Sequence, residues 1–233
     1  NRSADDAAGL AISEQMRSKI NGLDQATSNA NDAIGLIQTA EGALTETHSM
    51  LQRMVTLATQ SANGTYNSTA RGAIGEEVTA LKAEIDRIAT TTDYNGVKPI
   101  ASTSAITVQI GPTSGETLSI SAAKMDSGSL GLSQIAVNSV SAANGAITKI
   151  NDAINTVSTH RAKLGASQNR LEHTINNLKT TNENMTAAES RIRDTDMAKE
   201  MAAFTKNNIL NQAAQSMLSQ ANQQPQGVLS LLR

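Results

Sequence analysis

An apolar residue returns every seven positions through the first part of this chain, at Met16, Leu23, Ala30, Ile37, Leu44, Leu51 and Ala58. Ile20, Ala26, Ala33, Ile34, Ala40, Met54 and Val55 follow three or four residues behind. Seven residues are close to two helical turns, so a seam of this length predicts long helices packed side by side. The second half repeats the device with Ile150, Val157, Leu164, Leu171, Leu178, Met185 and Ile192, accompanied by Ile147, Ile154 and Ile175. A shorter run, Ile74, Val78, Leu81, Ile85 and Ile88, alternates steps of four and three and predicts one further helix. The first helix is expected from near Asp5 to near Ser61. Gly22, Gly35 and Gly42 inside it cost about 1 kcal/mol each against alanine, with close helix approach as the expected compensation and a break at one of them as the alternative.

The breaks between these stretches are turn-rich. Ala62–Ser68 reads as a loop, and Asp93-Tyr94-Asn95-Gly96 is turn chemistry. Ile106–Ile110 and Leu118–Ser121 alternate apolar and polar residues around Gly111-Pro112-Thr113-Ser114-Gly115-Glu116, which predicts a β-hairpin at about 105–122. The three prolines, Pro99, Pro112 and Pro225, leave the helical stretches uninterrupted. The expected fold is mainly α: an elongated rod of long antiparallel coiled-coil-like helices with a small β-hairpin insertion.

Composition narrows the functional classes. The 233 residues include only Tyr66, Tyr94 and Phe204 as aromatics, so small aliphatic side chains must supply the packing. With no cysteine, neither a disulfide framework nor a thiolate metal site is available. A net charge of −2 argues against a duplex nucleic-acid partner, which needs a basic face. No apolar run is long enough for a membrane-spanning helix.

Near the C-terminus the seam shifts phase. Arg191, Arg193, Asp194 and Asp196 concentrate charge and read as a solvated hinge. Beyond them Met197, Met201, Phe204, Ile209, Leu210, Ala213, Met217 and Leu218 outline a separate amphipathic helix, expected to end before Gln223-Gln224-Pro225. The residues Val228 to Arg233 are apolar again. Methionine-rich stripes are adaptable and suit association surfaces. Packing of this stripe on the chain's own bundle is the alternative.

Several ordered motifs resemble bacterial flagellin. They are Asp5-Asp6-Ala7-Ala8-Gly9-Leu10-Ala11-Ile12, Leu36-Ile37-Gln38-Thr39-Ala40-Glu41-Gly42-Ala43-Leu44, and Asp93-Tyr94-Asn95-Gly96. In the second half they are Arg161–Ala166 with Gln168–Leu171, Thr186–Asp194, and Gln220–Pro225. The resemblance implies a structural filament subunit that self-assembles for motility in the extracellular flagellum, with no catalysis and no cofactor. It assigns 1–190 to the rod domain and 191–233 to the C-terminal helix of the inner filament layer. It also implies an export chaperone on the C-terminal region, a flagellar assembly factor, and recognition by an animal Toll-like receptor through Gln52, Arg53, Leu57 and Glu77. Arg53 and Leu57 stand one helical turn apart, with an ordinary solvated helix face that also makes filament contacts as the alternative. Val55-Thr56 replaces the Arg-Glu pair of many receptor-activating members, which weakens the expected signalling. The central segment is short, without large outer domains. The family's segment before Asn1 is missing from this sequence, so the chain reads as N-terminally truncated. Its tail is then expected to be disordered or chaperone-held, and normal filaments are not expected.

Rival readings carry less. His48, His160 and His173 are too scattered for a metal site, lack the H-E-x-x-H spacing of zinc proteases, and are expected to be solvated helix-face residues. No serine has a base and an orienter beside it. A hook–filament junction protein shares the terminal helices but differs in the middle. A chemoreceptor-type signalling rod shares the Ala, Ser and Gln content, but the hairpin and the Gln224-Pro225-Gln226 tail argue against it.

Overall fold

The computed structural model describes the backbone of residues 6–231 and the side chains of 6–221. Asp5, which opens the first motif, and the side chains of the apolar ending Val228–Arg233 lie outside the described residues. Helix α1 spans Ala7–Ala62, α2 Ser68–Thr91, α3 Val140–Arg193 and α4 Met197–Leu231, with strands β1 at Ile106–Gln109 and β2 at Thr117–Ile120. The chain divides into two compact units, Ser18–Asn184 and a smaller one of Asn1–Arg17 with Met185–Arg233.

The larger unit is built on the heptad seams. Leu23, Ala30, Ile37, Leu44, Leu51 and Ala58 of α1 are all buried, as are Ile150, Val157, Leu164 and Leu171 of α3. A second register accompanies each. In α1 it is Ala26, Ala33, Ala40, Thr47, Met54 and Ser61, and in α3 it is Ala146, Ala153, His160 and Ser167. The small residues in these positions bring neighbouring helix axes close. Thr47 and Ser167 satisfy their hydroxyls by donating to the carbonyls of Ala43 and Lys163, one turn back. Helices α1 and α3 run antiparallel, with Arg161 reaching Glu41 at 3.4 Å and the Asn182 amide donating to Asp24 at 2.8 Å. Ile74, Val78 and Ile85 of α2 complete the same core.

The ends are locally satisfied. Asn67 caps α2 by accepting the Ala70 N–H at 2.8 Å. The Arg71 guanidinium donates to the carbonyls of Ser61 and Asn63, covering the end of α1. Strands β1 and β2 pair antiparallel with Ile106 opposite Ile120 and Val108 opposite Leu118, the predicted hairpin. Ile120, Met125, Leu130, Leu132 and Val137 carry the chain from the hairpin back to α3 through the core. Asp86 on α2 anchors that return, accepting both the N–H and the hydroxyl of Ser127 at 2.7 and 2.8 Å.

Two expectations change. Gly22 and Gly35 of α1 are matched by the β region rather than by a neighbouring helix. A Cβ on Gly22 would come within 2.7 Å of the Pro112 ring, and one on Gly35 within 3.0 Å of the Tyr94 hydroxyl. Tyr94 is held there by a tight turn in which Asn95 and Gly96 take φ of 51° and 83°, and Tyr94 and Val97 exchange both backbone hydrogen bonds. Gly42 faces open space. Helix α4 also continues past Pro225 to Leu231 instead of ending before Gln223. Proline removes one rung of the ladder, and the glutamines on either side are good helix formers.

The glycines separate cleanly by experiment. Gly42→Ala should stabilise the larger unit by up to about 1 kcal/mol, because alanine restricts the unfolded chain and meets nothing. Gly22→Ala should destabilise it by about 1–3 kcal/mol through overlap with Pro112. Thermal unfolding followed by circular dichroism measures both, and equal shifts would remove the close-approach explanation.

Candidate assembly surface

Helix α3 stops and α4 starts through side-chain chemistry at the charged cluster. Arg191 and Arg193 lie in the last turn of α3, where cations oppose the helix dipole. The Ser190 hydroxyl donates to Asp194 at 2.6 Å. Asp196 then caps α4, its carboxylate accepting the N–H groups of Ala198 and Lys199 at 3.0 and 3.2 Å. Arg193 is partly covered between Glu14 at 3.6 Å and Glu189 at 3.5 Å, while Arg191, Asp194 and Asp196 are exposed, so the cluster is largely solvated with one paired arginine. Asp6 caps α1 in the same unit, accepting the Gly9 N–H at 2.8 Å.

Beyond Asp196 every described side chain of α4, from Met197 to Ala221, is exposed. Met197 is 66% exposed, Phe204 60%, Ile209 61% and Met217 74%, with Met201, Leu210 and Leu218 between 55% and 63%. Ala213 is exposed as well. The apolar side chains of α4 are thus uncovered. They do not form one stripe. At about 100° per residue, Met197, Met201 and Phe204 share one side, while Leu210, Ala213 and Met217 sit roughly 160–220° round from Met197. An apolar surface on more than one side is what a helix carries when it is meant to be surrounded. Met197–Leu231 of the tail, expected to be disordered or chaperone-held, forms helix α4.

The second candidate face lies on α1 and α2. Arg53 donates through Nε to Glu77 at 2.8 Å and pairs with it through a terminal nitrogen at 2.7 Å. Both side chains are about half exposed, so the pair contributes at most about 1 kcal/mol and serves mainly to hold the guanidinium in place. Gln52 lies beside His48, their side-chain nitrogens 3.0 Å apart. Leu57 does not join them. It is 2% exposed and belongs to the core, because one turn along the helix it falls on the seam side.

His160 also departs from expectation. It is 5% exposed, occupying a seam position seven residues after Ala153, and its Nε2 has no hydrogen-bond partner. Burial holds its pKa below the ordinary 6.5, with Lys163 pushing in the same direction. The heptad count from Ala146 and Ala153 identifies the position, which polarity alone obscured. Among the described residues no cluster of three histidine or acidic side chains is placed to hold a metal, and no helix is long and apolar enough to cross a membrane.

Comparison with known proteins matches both ends of the chain. Residues 1–105 match the bacterial flagellin N-terminal helical region, and residues 147–232 match the bacterial flagellin C-terminal helical region. A flagellin of Halalkalibacterium halodurans is 52% identical over 236 residues, covering 100% of this chain and 87% of that protein. One from Bacillus subtilis is 50% identical over 268 residues, covering 100% and 88%. The crystal structure of Bacillus cereus flagellin superposes with a TM-score of 0.59 at 33% identity, covering 76% of this chain and 94% of that one.

Neutral His160 fits the seam and its imidazolium does not. Because its pKa is lowered on folding, the unfolded chain takes up the proton first as pH falls below 6.5. The stability held by the neutral form is present above that pH and is lost on acidification. His160→Leu should therefore flatten the decline in melting temperature between about pH 7 and pH 5. An unchanged slope would exclude His160 as the acid-sensitive group.

Proposed function

The chain belongs to the bacterial flagellin family and is a structural subunit of the extracellular flagellar filament, not an enzyme; on that premise we propose that α4 is the segment through which it packs into the filament's inner layer. The observation that carries this reading is the uncovered apolar surface from Met197 to Leu218. Flagellins assemble with other flagellin subunits, an open association in which each copy supplies and receives the same surfaces. The rest of the chain divides the work. Residues 1–190 act as the rod, and 191–233 as the inner-layer helix with Met197, Met201, Phe204, Ile209, Leu210, Ala213, Met217 and Leu218 as its contacts.

The same surface suits the export step. A helix with apolar residues on several sides aggregates unless covered, and an export chaperone on the C-terminal region supplies that cover before secretion. A flagellar assembly factor would meet the chain on this pathway as well. The absence of cysteine from the chain agrees with passage through the export channel unfolded.

A second reading rests on the Arg53–Glu77 pair. An arginine held in place by a carboxylate and flanked by Gln52 is a suitable anchor for an animal Toll-like receptor. Leu57, being buried, would support that face from below rather than touch the receptor.

Leu210→Glu combined with Met217→Glu should abolish self-association in sedimentation while leaving the melting of the larger unit unchanged. Removal of residues 197–233 should also abolish capture by the export chaperone. Retained association or retained capture would contradict the assignment of α4. Arg53→Ala should lower receptor signalling without changing self-association, and unaltered signalling would remove the second reading.

A further inference from the structure

With no cysteine in the sequence, the methionine thioethers are the only sulfur atoms open to oxidation. They are distributed unevenly. Met54 and Met125 are 0% and 2% exposed in the core, whereas Met197, Met201 and Met217 are 66%, 55% and 74% exposed, all on α4. The remaining methionines are partly covered. The accessible sulfur is thus concentrated on α4, every described side chain of which is exposed. We propose that Met197, Met201 and Met217 are a peroxide-sensitive modification site, and that their conversion to sulfoxides prevents α4 from docking on its apolar partners. The inference rests on the reading of α4 as the packing helix.

The chemistry is a two-electron oxygen transfer. The thioether sulfur attacks a peroxide, the O–O bond breaks, one oxygen stays on sulfur and the other leaves as water. Exposed thioethers meet the oxidant directly, while the core methionines are reached only by local opening. The product matters because of where it sits. A sulfoxide carries a strong acceptor oxygen, and burying that oxygen against apolar side chains without a donor opposes association. Met197 and Met201 lie on the side of Phe204, and Met217 on that of Leu210 and Ala213. Oxidation therefore affects both sides of the helix. It can occur only while α4 is uncovered, so the unassembled chain is the sensitive species. Sulfoxide reductases with a dithiol reverse it, the oxygen leaving as water while the two thiols form a disulfide.

The full chain treated with millimolar hydrogen peroxide, then mapped by peptide mass spectrometry and tested by sedimentation, decides the matter. Met197, Met201 and Met217 should oxidise at least about tenfold faster than Met54 and Met125. Self-association should fall in step with their oxidation and return after treatment with both stereochemical classes of sulfoxide reductase. The triple variant Met197→Leu, Met201→Leu, Met217→Leu should associate and keep doing so after peroxide. Equal oxidation of core and α4 methionines, undiminished association of fully oxidised α4, or equal peroxide sensitivity of the triple variant would each overturn the proposal. Failure of the untreated chain to associate would instead overturn the packing role of α4, and the switch with it.

Discussion

The closing of α1 against α3 along two seven-residue registers is the interaction on which the larger unit depends. Neither helix has a thick apolar side. Each presents a narrow line of Leu, Ile and Val beside a line of alanines, and burial is complete only where two such lines meet. Alanines at 26, 33 and 40 on α1 and at 146 and 153 on α3 are all buried, which permits close packing without bulky side chains. This explains how 233 residues fold with three aromatics. The polar members of the seam, Thr47 and Ser167, are tolerated because their hydroxyls bond to the preceding turn. His160 has no such outlet for its Nε2, and so brings acid sensitivity into the seam.

The β region is secured by the helices rather than by its own size. A hairpin of two four-residue strands is marginal in isolation. Here Leu118 and Ile120 enter the helical core, and Pro112 and Tyr94 rest against glycines of α1. The Asn29 amide adds a direct tie to the Gln109 carbonyl at 3.1 Å. The hairpin and the helical seam therefore form one packed body, and Gly22 and Gly35, which weaken α1 locally, are positions where the β region approaches it.

Helix α4 follows the opposite logic. Its start is capped by Asp196, yet no described side chain beyond that point is buried. Helices without tertiary packing are marginal in water, which agrees with the proposal that α4 packs against other copies. A filament subunit needs this division of labour. On that proposal one part folds on its own and keeps its shape, and another is completed by neighbours.

Periodicity by itself determined the helices, their seams, the hairpin and the turn at Asp93–Gly96, because burial of a narrow stripe demands a fixed spacing whatever the neighbours are. The apolar content of α4 was equally legible, and so were the motifs that mark the family. Spacing along one helix does not say which side of that helix meets another, and this the tertiary structure decided. It put Leu57 inward while Arg53, one turn away, stayed outside to pair with Glu77. It buried His160, whose polarity suggested solvent, and gave Gly22 and Gly35 to Pro112 and Tyr94 rather than to a helix. It also left the described side chains of α4 exposed. Each of these outcomes depends on contacts between segments distant in the chain, and a local pattern contains no record of them.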